Sequence, residues 1–341
     1  MRGVEGEYIG AVADVEEACA HRLDDPLGPV EALNQSCTIA ARTGASGGGG
    51  SDCNPGDGGV RDPDPWVVGT ALTIWAMGDL AAIVVNYRRP DLLCPCLASL
   101  ESALARAGGG ELVVVDNGSA DGSAELVRRE FPRATVVALE ANRGFGGGVN
   151  AGLRCSNARW VFLMNNDATV ESDALTELRR VGDAAGDVAA VAAQMRFADR
   201  PDRINSAGLE IDRLGIAYDR LVGAAASESE SVPTEVFGAS AGAVLYRRAA
   251  LEDVGCFDES FFVFMEDADV AWRMRMRGWR CMYAPTALAH HHHSATAVHA
   301  SDRKYFHVGR NRVRLLARNA DRRLLVEYGG AMVAYDGQMK F

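Results

Sequence analysis

Three acidic side chains, Glu266, Asp267 and Asp269, follow an aromatic run at residues 261–264 and open a basic amphipathic segment. A carboxylate held by aromatic packing at the edge of a cleft is suited to act as a general base. Acids in the first turn of a helix, with arginines further along, are also what the helix dipole favours in any helix. The segment alone leaves both interpretations open, so the other motifs of the chain have to decide between them.

The composition is that of an ordinary soluble protein. The 341 residues are 48% hydrophobic and 24% charged, enough for one large or two modest domains. A net charge of -11 argues against a nucleic-acid binder, which would present a basic surface. The eight cysteines lack CxxC spacing, so neither a zinc ribbon nor a disulfide framework is indicated. No apolar stretch reaches the roughly 20 residues of a membrane span, and we expect a cytoplasmic protein.

The first 78 residues differ from the rest of the chain. Residues 42–65 are rich in Gly, Ser, Asp and Pro, a composition that cannot bury enough apolar surface to offset its ordering entropy. We therefore expect a disordered extension over 1–78, with Met77 as the true start or, alternatively, a genuine regulatory or tethering tail. A patterned domain is expected over 79–320, followed by a short C-terminal tail at 321–341.

Within this domain, short apolar runs alternate with segments of helical periodicity. Strands are predicted at 80–85, 111–115, 135–139, 160–164 and 188–195, and helices at 91–107, 121–130 and 172–182. A hairpin is predicted within 197–220. The alternation of strand and helix predicts an α/β fold, with a mostly parallel sheet flanked by helices.

Ligands of such sheets bind at the carboxyl ends of the strands, where this chain carries several polar clusters. The cluster at 142–150, NRGFGGGVN, predicts a glycine-rich loop that enters a helix near Val149 and could meet phosphate oxygens. No GK[ST] follows, so it is not a Walker loop, and a simple turn is the alternative. The cluster at 165–167, Asn-Asn-Asp, offers hard oxygen ligands for Mg²⁺ or Mn²⁺, or else an Asx turn.

The order of these motifs resembles the family 2 inverting glycosyltransferases of the GT-A fold, in particular the bacterial rhamnosyltransferase and galactofuranosyltransferase branch. The resemblance covers about residues 80–319. The matching segments are IVVNYRRPDLL (83–93), VVVDNGSADGS (113–123), NRGFGGGVNAGL (142–153), FLMNNDATV (162–170) and VGCFDESFFVFMEDADVAWRMRMRGW (254–279).

The resemblance implies roles on the donor side of the site. Asp116 would contact the base or ribose of the nucleotide. Asp167 would reach the divalent metal, Mg²⁺ or Mn²⁺, from the position of the family's Asp-x-Asp motif, whose first acid is Asn165 here. The other residues implied to line the nucleotide-sugar pocket are Asn86, Asn117, Asn142, Gly146, Gly147, Asn150, Asn165 and Asn166.

The resemblance also implies the acceptor side. Asp267 stands at the second acid of the ED-x-D signature and would deprotonate the acceptor hydroxyl, with Glu266, Asp269 and Gly238 nearby. A histidine after Pro285 would contact the metal or diphosphate. His291 fits that spacing best, with His290 and His292 as close rivals, and a short loop is expected between Pro285 and the histidines.

A basic amphipathic helix is predicted over 301–318. It would contact an anionic membrane surface that carries a lipid-linked acceptor, or else present a solvated charged face. The whole pattern predicts a glycosyltransferase of cell-envelope polysaccharide synthesis that uses a nucleotide diphosphate sugar, of rhamnose or galactofuranose type, at the inner face of the membrane. The alternatives are a sugar-phosphate nucleotidyltransferase and a noncatalytic nucleotide-sugar or glycan-binding module.

Overall fold

The computed structural model describes residues 79–292 and 302–338. The extension predicted at 1–78 and the start expected at Met77 lie outside the described residues. The strands are β1 (Leu80–Asn86), β2 (Glu111–Asp116), β3 (Thr135–Ala138), β4 (Trp160–Asn165), β5 (Ala168–Val170), β6 (Val188–Phe197), β7 (Ile204–Ser206), β8 (Leu209–Ile211), β9 (Ala217–Asp219), β10 (Thr234–Val236), β11 (Ala243–Arg247) and β12 (Arg280–His291). The helices are α1 (Pro90–Arg106), α2 (Ser123–Glu130), α3 (Gly144–Leu153), α4 (Ala174–Gly182), α5 (Arg248–Asp253), α6 (Glu266–Met276), α7 (Asp302–Asn319) and α8 (Arg322–Gln338).

The main sheet is mixed, with the strand order β10-β12-β6-β11-β4-β1-β2-β3. β1 is parallel to both β2 and β4, and β2 is parallel to β3. β12 is parallel to β6, whereas β11 is antiparallel to its neighbours β4 and β6. The predicted α/β fold, a central sheet flanked by helices, is confirmed, and the sheet contains both parallel and antiparallel pairs. The hairpin predicted within 197–220 is formed by β8 and β9.

Alternation along β1 divides its apolar side chains between two cores. Leu80, Ala82 and Val84 join the core that contains the buried leucines of α1, while Ile83 joins the core that contains Val149 of α3. Both faces of the strand are therefore covered. This explains why β1 has a continuous apolar sequence rather than an alternating one.

The glycine-rich motif at 142–150 is not a loop that enters a helix near Val149, and that prediction was wrong. Helix α3 already begins at Gly144 and contains the glycines. A β-carbon at Gly148 would lie 2.6 Å from Val85 Cγ1, and one at Gly152, further along α3, would lie 2.6 Å from Ile83 Cγ2. These glycines let α3 approach the sheet closely, which a side chain at either position would prevent.

Two C-terminal helices cover α6. The stretch after Asp321, expected to be a short tail, forms helix α8. Leu315 of α7 and Leu324 and Met332 of α8 join Trp272 of α6 in a third apolar cluster. None of the helices that the structure describes is long and apolar enough to cross a bilayer.

Replacing Gly152 by alanine is expected to destabilise the fold. The new β-carbon would lie 2.6 Å from Ile83 Cγ2 and 3.2 Å from Val115 Cγ2 in the core. Overpacking costs about 1–3 kcal/mol, whereas the better helix propensity of alanine returns at most about 1 kcal/mol. Urea denaturation should therefore show a lower free energy of unfolding. Gly186→Ala is the matched control, because nothing lies within 4 Å of its β-carbon position, and an equal loss in both variants would contradict the packing explanation.

Candidate active site

The polar ends of three strands meet at one edge of the sheet. Asn86 is paired with Asp116 at the ends of β1 and β2, and Val85 is paired with Asn165 at the end of β4. Strand β12 brings His291 beside Ala168 of β5. The clusters that sequence reasoning placed after separate strands are thus neighbours in space.

Asp167 and His291 face each other at this edge, and both are buried. His291 Nε2 lies 3.1 Å from Asp167 Oδ1, and His291 Nδ1 lies 2.8 Å from Asn205 Oδ1. Because an amide oxygen only accepts, the N–H of Nδ1 donates to Asn205, and Nε2 is the ring nitrogen that faces Asp167. Burial raises the pKa of Asp167, but the hydrogen bond and charge of His291 outweigh it and hold this pKa below its usual value.

This pair is chemically suited to a divalent cation shared with a diphosphate. Asp167 supplies a hard oxygen ligand, and His291, with Nδ1 anchored by Asn205, has the orientation typical of a metal-binding histidine. Within residues 79–292 and 302–338, no group of three or more His, Cys, Asp or Glu side chains is placed to hold a metal. A cation on this pair would therefore need further oxygen ligands, such as those of a phosphate, water or an amide.

A short loop was expected between Pro285 and the histidines, and that prediction was wrong. Strand β12 runs through Pro285 and continues to His291. Successive side chains of a strand face opposite ways, and His290 Nε2 lies 3.0 Å from Glu171 Oε1. His292, just after the strand, is exposed. Of the three candidates, His291 is the histidine that the strand turns toward the buried carboxylate.

The two asparagines before Asp167 have different surroundings. Asn165 Nδ2 lies 3.4 Å from His291 Nε2, so Asn165 borders the buried pair. Asn166 Nδ2 donates to Asn86 Oδ1 at 2.8 Å. Asn166 and Asn86 therefore hold the ends of β4 and β1 together.

Asp116 ends β2 with a buried oxygen, Oδ1, that has no hydrogen-bond partner among the described residues. Leaving such an atom unpaired is costly, so it is suited to a donor group of a ligand. Asn117 Nδ2 donates to Gly144 O at 2.9 Å, and Asn117 Oδ1 accepts from Arg143 N–H at 2.9 Å. Asn142 Oδ1 accepts from Gly144 N–H at 2.8 Å. These two amides tie the end of β2 to the start of α3.

Helix α6 begins with the predicted acids, and two backbone N–H groups hold Asp267. Ala241 N–H donates to Asp267 Oδ2 at 3.1 Å, and Ala268 N–H donates to Oδ1 at 2.8 Å. Burial raises the pKa of Asp267 against the opposing effect of these hydrogen bonds. Burial, with the charge of Asp267, also raises the pKa of Glu266. A carboxylate with a raised pKa is a better proton acceptor toward a hydroxyl group.

One dipeptide joins this acidic helix to the end of β4, which precedes Asp167. Ala241 N–H donates to Asp267, and the C=O of the next residue, Gly242, accepts from Asn165 N–H at 3.0 Å. Asn165 lies two residues before Asp167. The acid of α6 and the carboxylate–imidazole pair therefore lie on either side of the same short segment.

Two of the residues predicted on the acceptor side contribute to packing. Asp269 is fully buried, and its oxygens accept from Arg273 Nε at 2.8 Å and Asn319 Nδ2 at 2.9 Å. It joins α6 to α7. A β-carbon at Gly238 would lie 2.6 Å from Ala271 Cβ, so this glycine lets the loop before β11 approach α6.

The predicted donor-side residues of α3 contact the segment that precedes α6. Asn150 Nδ2 donates to Phe257 O at 2.9 Å, and Asn150 Oδ1 accepts from Phe257 N–H at 3.2 Å. A β-carbon at Gly146 would lie 3.3 Å from Phe257 Cβ, and one at Gly147 would lie 3.3 Å from Glu259 Oε2. The three positions join α3 to the acidic segment.

The chain reaches α6 through backbone conformations that residues with side chains rarely adopt. Phe262, Phe264 and Met265 have φ angles of 65°, 70° and 67°. Such conformations cost about 1–3 kcal/mol each and persist only where the surrounding structure holds them. Phe145 N–H donates to Phe262 O at 2.6 Å and provides one such contact.

Asp219, at the end of β9, is a carboxylate that sequence reasoning missed. Burial raises the pKa of Asp219 to about 6, and the charge of Asp267 adds to this rise against a hydrogen bond from Ser206. Asp219 Oδ1 is buried with no hydrogen-bond partner in the part of the chain that the structure describes. The sequence indicates only a hairpin here, and the proximity of Asp219 to Asp267 arises from the way the hairpin packs.

Residues 81–255, just over half of the chain, match the family model described as Glycosyl transferase family 2. The chain belongs to glycosyltransferase family 2. This glycosyltransferase is 30% identical over 241 residues to the N-acetylglucosaminyl-diphospho-decaprenol L-rhamnosyltransferase of Mycobacterium tuberculosis, a match that covers 62% of the chain and 76% of the relative. It is 39% identical over 110 residues to the succinoglycan biosynthesis protein ExoO of Rhizobium meliloti, and there it spans only 31% of the relative. The predicted family and transferase class are confirmed.

Solved structures share the fold of this family 2 glycosyltransferase at low sequence identity. GalNAc-T7 with UDP, GalNAc and Mn²⁺ has a TM-score of 0.56 at 12% identity, covering 70% of this chain and 47% of that one. The mannosyltransferase of Pyrobaculum calidifontis in complex with GDP-Man and Mn²⁺ has a TM-score of 0.52 at 18% identity, covering 91% and 79%. Similarity at this level concerns the fold, and it confirms the predicted GT-A class.

The Glu266→Gln variant is expected to become more stable relative to the wild type as the pH rises. Because the pKa of Glu266 is raised in the fold, the folded protein keeps a proton that the unfolded chain releases above the ordinary glutamate pKa of about 4.3. The stability of the wild type then falls as the pH rises from that value to the raised pKa, a loss that glutamine cannot undergo. Melting temperatures of both proteins across this range measure the effect. A difference that stays constant with pH would contradict the raised pKa.

Proposed function

We propose that this family 2 glycosyltransferase moves a sugar from a nucleotide diphosphate to a saccharide hydroxyl with inversion at the anomeric carbon. The observation that carries the proposal is the Ala241–Gly242 dipeptide, which hydrogen-bonds Asp267 on one side and the Asn165 end of β4 on the other. Inverting transfer needs one base opposite the leaving group and no covalent intermediate. An acid beside a site suited to diphosphate meets that need.

Asp267 acts as the general base in this proposal. It accepts the proton of the acceptor hydroxyl while that oxygen attacks the anomeric carbon, and the bond from this carbon to the diphosphate breaks with its electron pair leaving on the diphosphate. The N–H groups of Ala241 and Ala268 orient the carboxylate. The raised pKa of Asp267 supports the role, because it brings the basicity of the carboxylate closer to neutral pH.

On the donor side, we assign the nucleotide to Asp116, with Asn86 and Asn117 beside it, and the cation to Asp167 and His291. The unpartnered Asp116 Oδ1 supports a hydrogen bond from the base or ribose. Mg²⁺ or Mn²⁺, when bound, would neutralise charge on the leaving diphosphate. Asn165 supplies no charge to that site, so Asp167 is its only carboxylate among the three residues at 165–167.

On the acceptor side, we assign Asp219 and Glu266 to the recognition of hydroxyl groups, because each has a buried, unpartnered oxygen near Asp267. Similarity to the N-acetylglucosaminyl-diphospho-decaprenol L-rhamnosyltransferase of Mycobacterium tuberculosis supports a rhamnose-like sugar and a lipid-linked acceptor of cell-envelope synthesis. Tyr305 and Phe306 of α7 are 47% and 58% exposed. They support contact of α7 with the inner face of the membrane that would carry such an acceptor.

Asp267→Asn is expected to lower kcat by about a hundred- to ten-thousandfold, the usual contribution of a general base, while donor binding is kept. The donor is first selected by thermal stabilisation from a panel of UDP-, GDP- and dTDP-sugars. Transfer and donor affinity are then measured for the wild type, Asp267→Asn and the exposed control Asp199→Asn. Equal loss of transfer and donor binding in Asp267→Asn would remove Asp267 from the base role.

Asp167→Asn is expected to abolish the effect of divalent ions on nucleotide binding. In the wild type, UDP, GDP or dTDP should raise the melting temperature more with Mn²⁺ than with EDTA, because Asp167 would hold a cation that neutralises charge on the diphosphate. The asparagine variant should respond equally in both buffers. A Mn²⁺ effect that survives in Asp167→Asn would place the cation elsewhere.

A further inference from the structure

Several side chains of helix α7 contact the left-handed residues before α6, and Asn311 makes the largest number of hydrogen bonds to them. Asn311 is fully buried. Its Nδ2 donates to Phe261 O at 2.9 Å, Val263 O at 2.8 Å and Phe264 O at 2.8 Å. The two N–H bonds of this amide therefore donate to three carbonyl oxygens, so that one hydrogen is shared between two of the oxygens.

The orientation of this amide is set by its neighbour on the helix. Arg310 Nε and Nη2 lie 3.1 Å and 2.9 Å from Asn311 Oδ1. Because a guanidinium group only donates, the oxygen of Asn311 must face Arg310 and the NH₂ group must face the loop. Arg310 Nη2 also donates to Phe261 O at 2.7 Å and reinforces one of the three contacts.

The three carbonyls lie around the uncommon backbone angles. Phe262, with φ 65° and ψ −60°, forms a γ-turn in which Val263 N–H donates to Phe261 O at 2.8 Å. Phe264 and Met265 follow with positive φ. Residues with side chains leave this region unless other contacts hold them there. Asn311 bonds carbonyls before and after the γ-turn, so it fixes the path of the chain into α6.

We propose that Asn311 is a positioning residue for the base of this enzyme. Its amide holds the loop 261–265 in the strained path that starts α6 beside Ala241, where Ala241 N–H meets the Asp267 carboxylate. Without the two donors, the loop relaxes and Asp267 moves from its place against the acceptor hydroxyl. The assignment of Asp267 as base rests on the proposed function, whereas the restraint on the loop does not.

The test replaces Asn311 by leucine, which keeps the side-chain volume and removes both donors. Asn311→Leu is expected to lower kcat by about a hundredfold, the effect of moving a reacting group by about 1 Å, with donor affinity unchanged. Asn319→Leu is the matched control. Asn319 is also a buried asparagine of α7, but it binds Asp269 and Leu315 O instead of the loop. Asn319→Leu should lower the melting temperature and reduce kcat much less than Asn311→Leu does.

Hydrogen exchange supplies a readout that does not depend on activity. The amides of residues 261–268 should exchange faster in Asn311→Leu than in the wild type or Asn319→Leu. Equal exchange of these amides in the two variants, or an equal loss of kcat in both, would overturn the proposal. A wild type that transfers no sugar from any donor of the panel would instead count against the proposed function, and the exchange data would still decide whether Asn311 holds the loop.

Discussion

Burial of two adjacent carboxylates at the start of α6 is the constraint on which the site depends. A carboxylate that is buried away from water needs hydrogen-bond donors to replace its hydration, or else it takes up a proton. Asp267 receives two backbone N–H groups, one from its own helix and one from Ala241. Glu266 is shifted toward its protonated form. Because Ala241 lies just before β11, in the middle of the sheet, the order of the strands decides where the carboxylate can be held.

The sheet and the identity of most polar positions could be predicted from the sequence because both depend on local patterns. β1 and β4 are buried on both faces, so each has an apolar run that ends at a polar residue. Parallel strands bring such ends together whatever their spacing along the chain. The cluster that contains Asp167 is predicted in this way, whereas the roles of Asp116 and Asp267 are implied by the order of motifs.

The features that the sequence did not reveal depend on contacts between distant segments. Glycines in a loop and glycines in a tightly packed helix have the same composition, and only the contact of Gly148 with Val85 separates the two. Pro285 suggested a break in the chain, yet β12 passes through it with register shifts beside β6. Asp219 and Asn311 look like ordinary polar residues of a hairpin and a basic helix. Asn311 hydrogen-bonds the loop 261–265, and Asp219 lies near the charge of Asp267 at the start of α6, in each case about 50 residues away in the chain.

Gly144 has a consequence for engineering. It has a φ of 75°, and Phe262 O occupies the place where its β-carbon would be, beside the hydrogen bond from Phe145 N–H to the same oxygen. The conformations of the start of α3 and of the loop before α6 therefore depend on each other, although more than a hundred residues separate the two segments. A chimera that takes residues 142–153 from another family member would therefore also disturb the loop that leads into α6 and Asp267. Residues 142–153 and the loop 261–265 therefore have to be exchanged together.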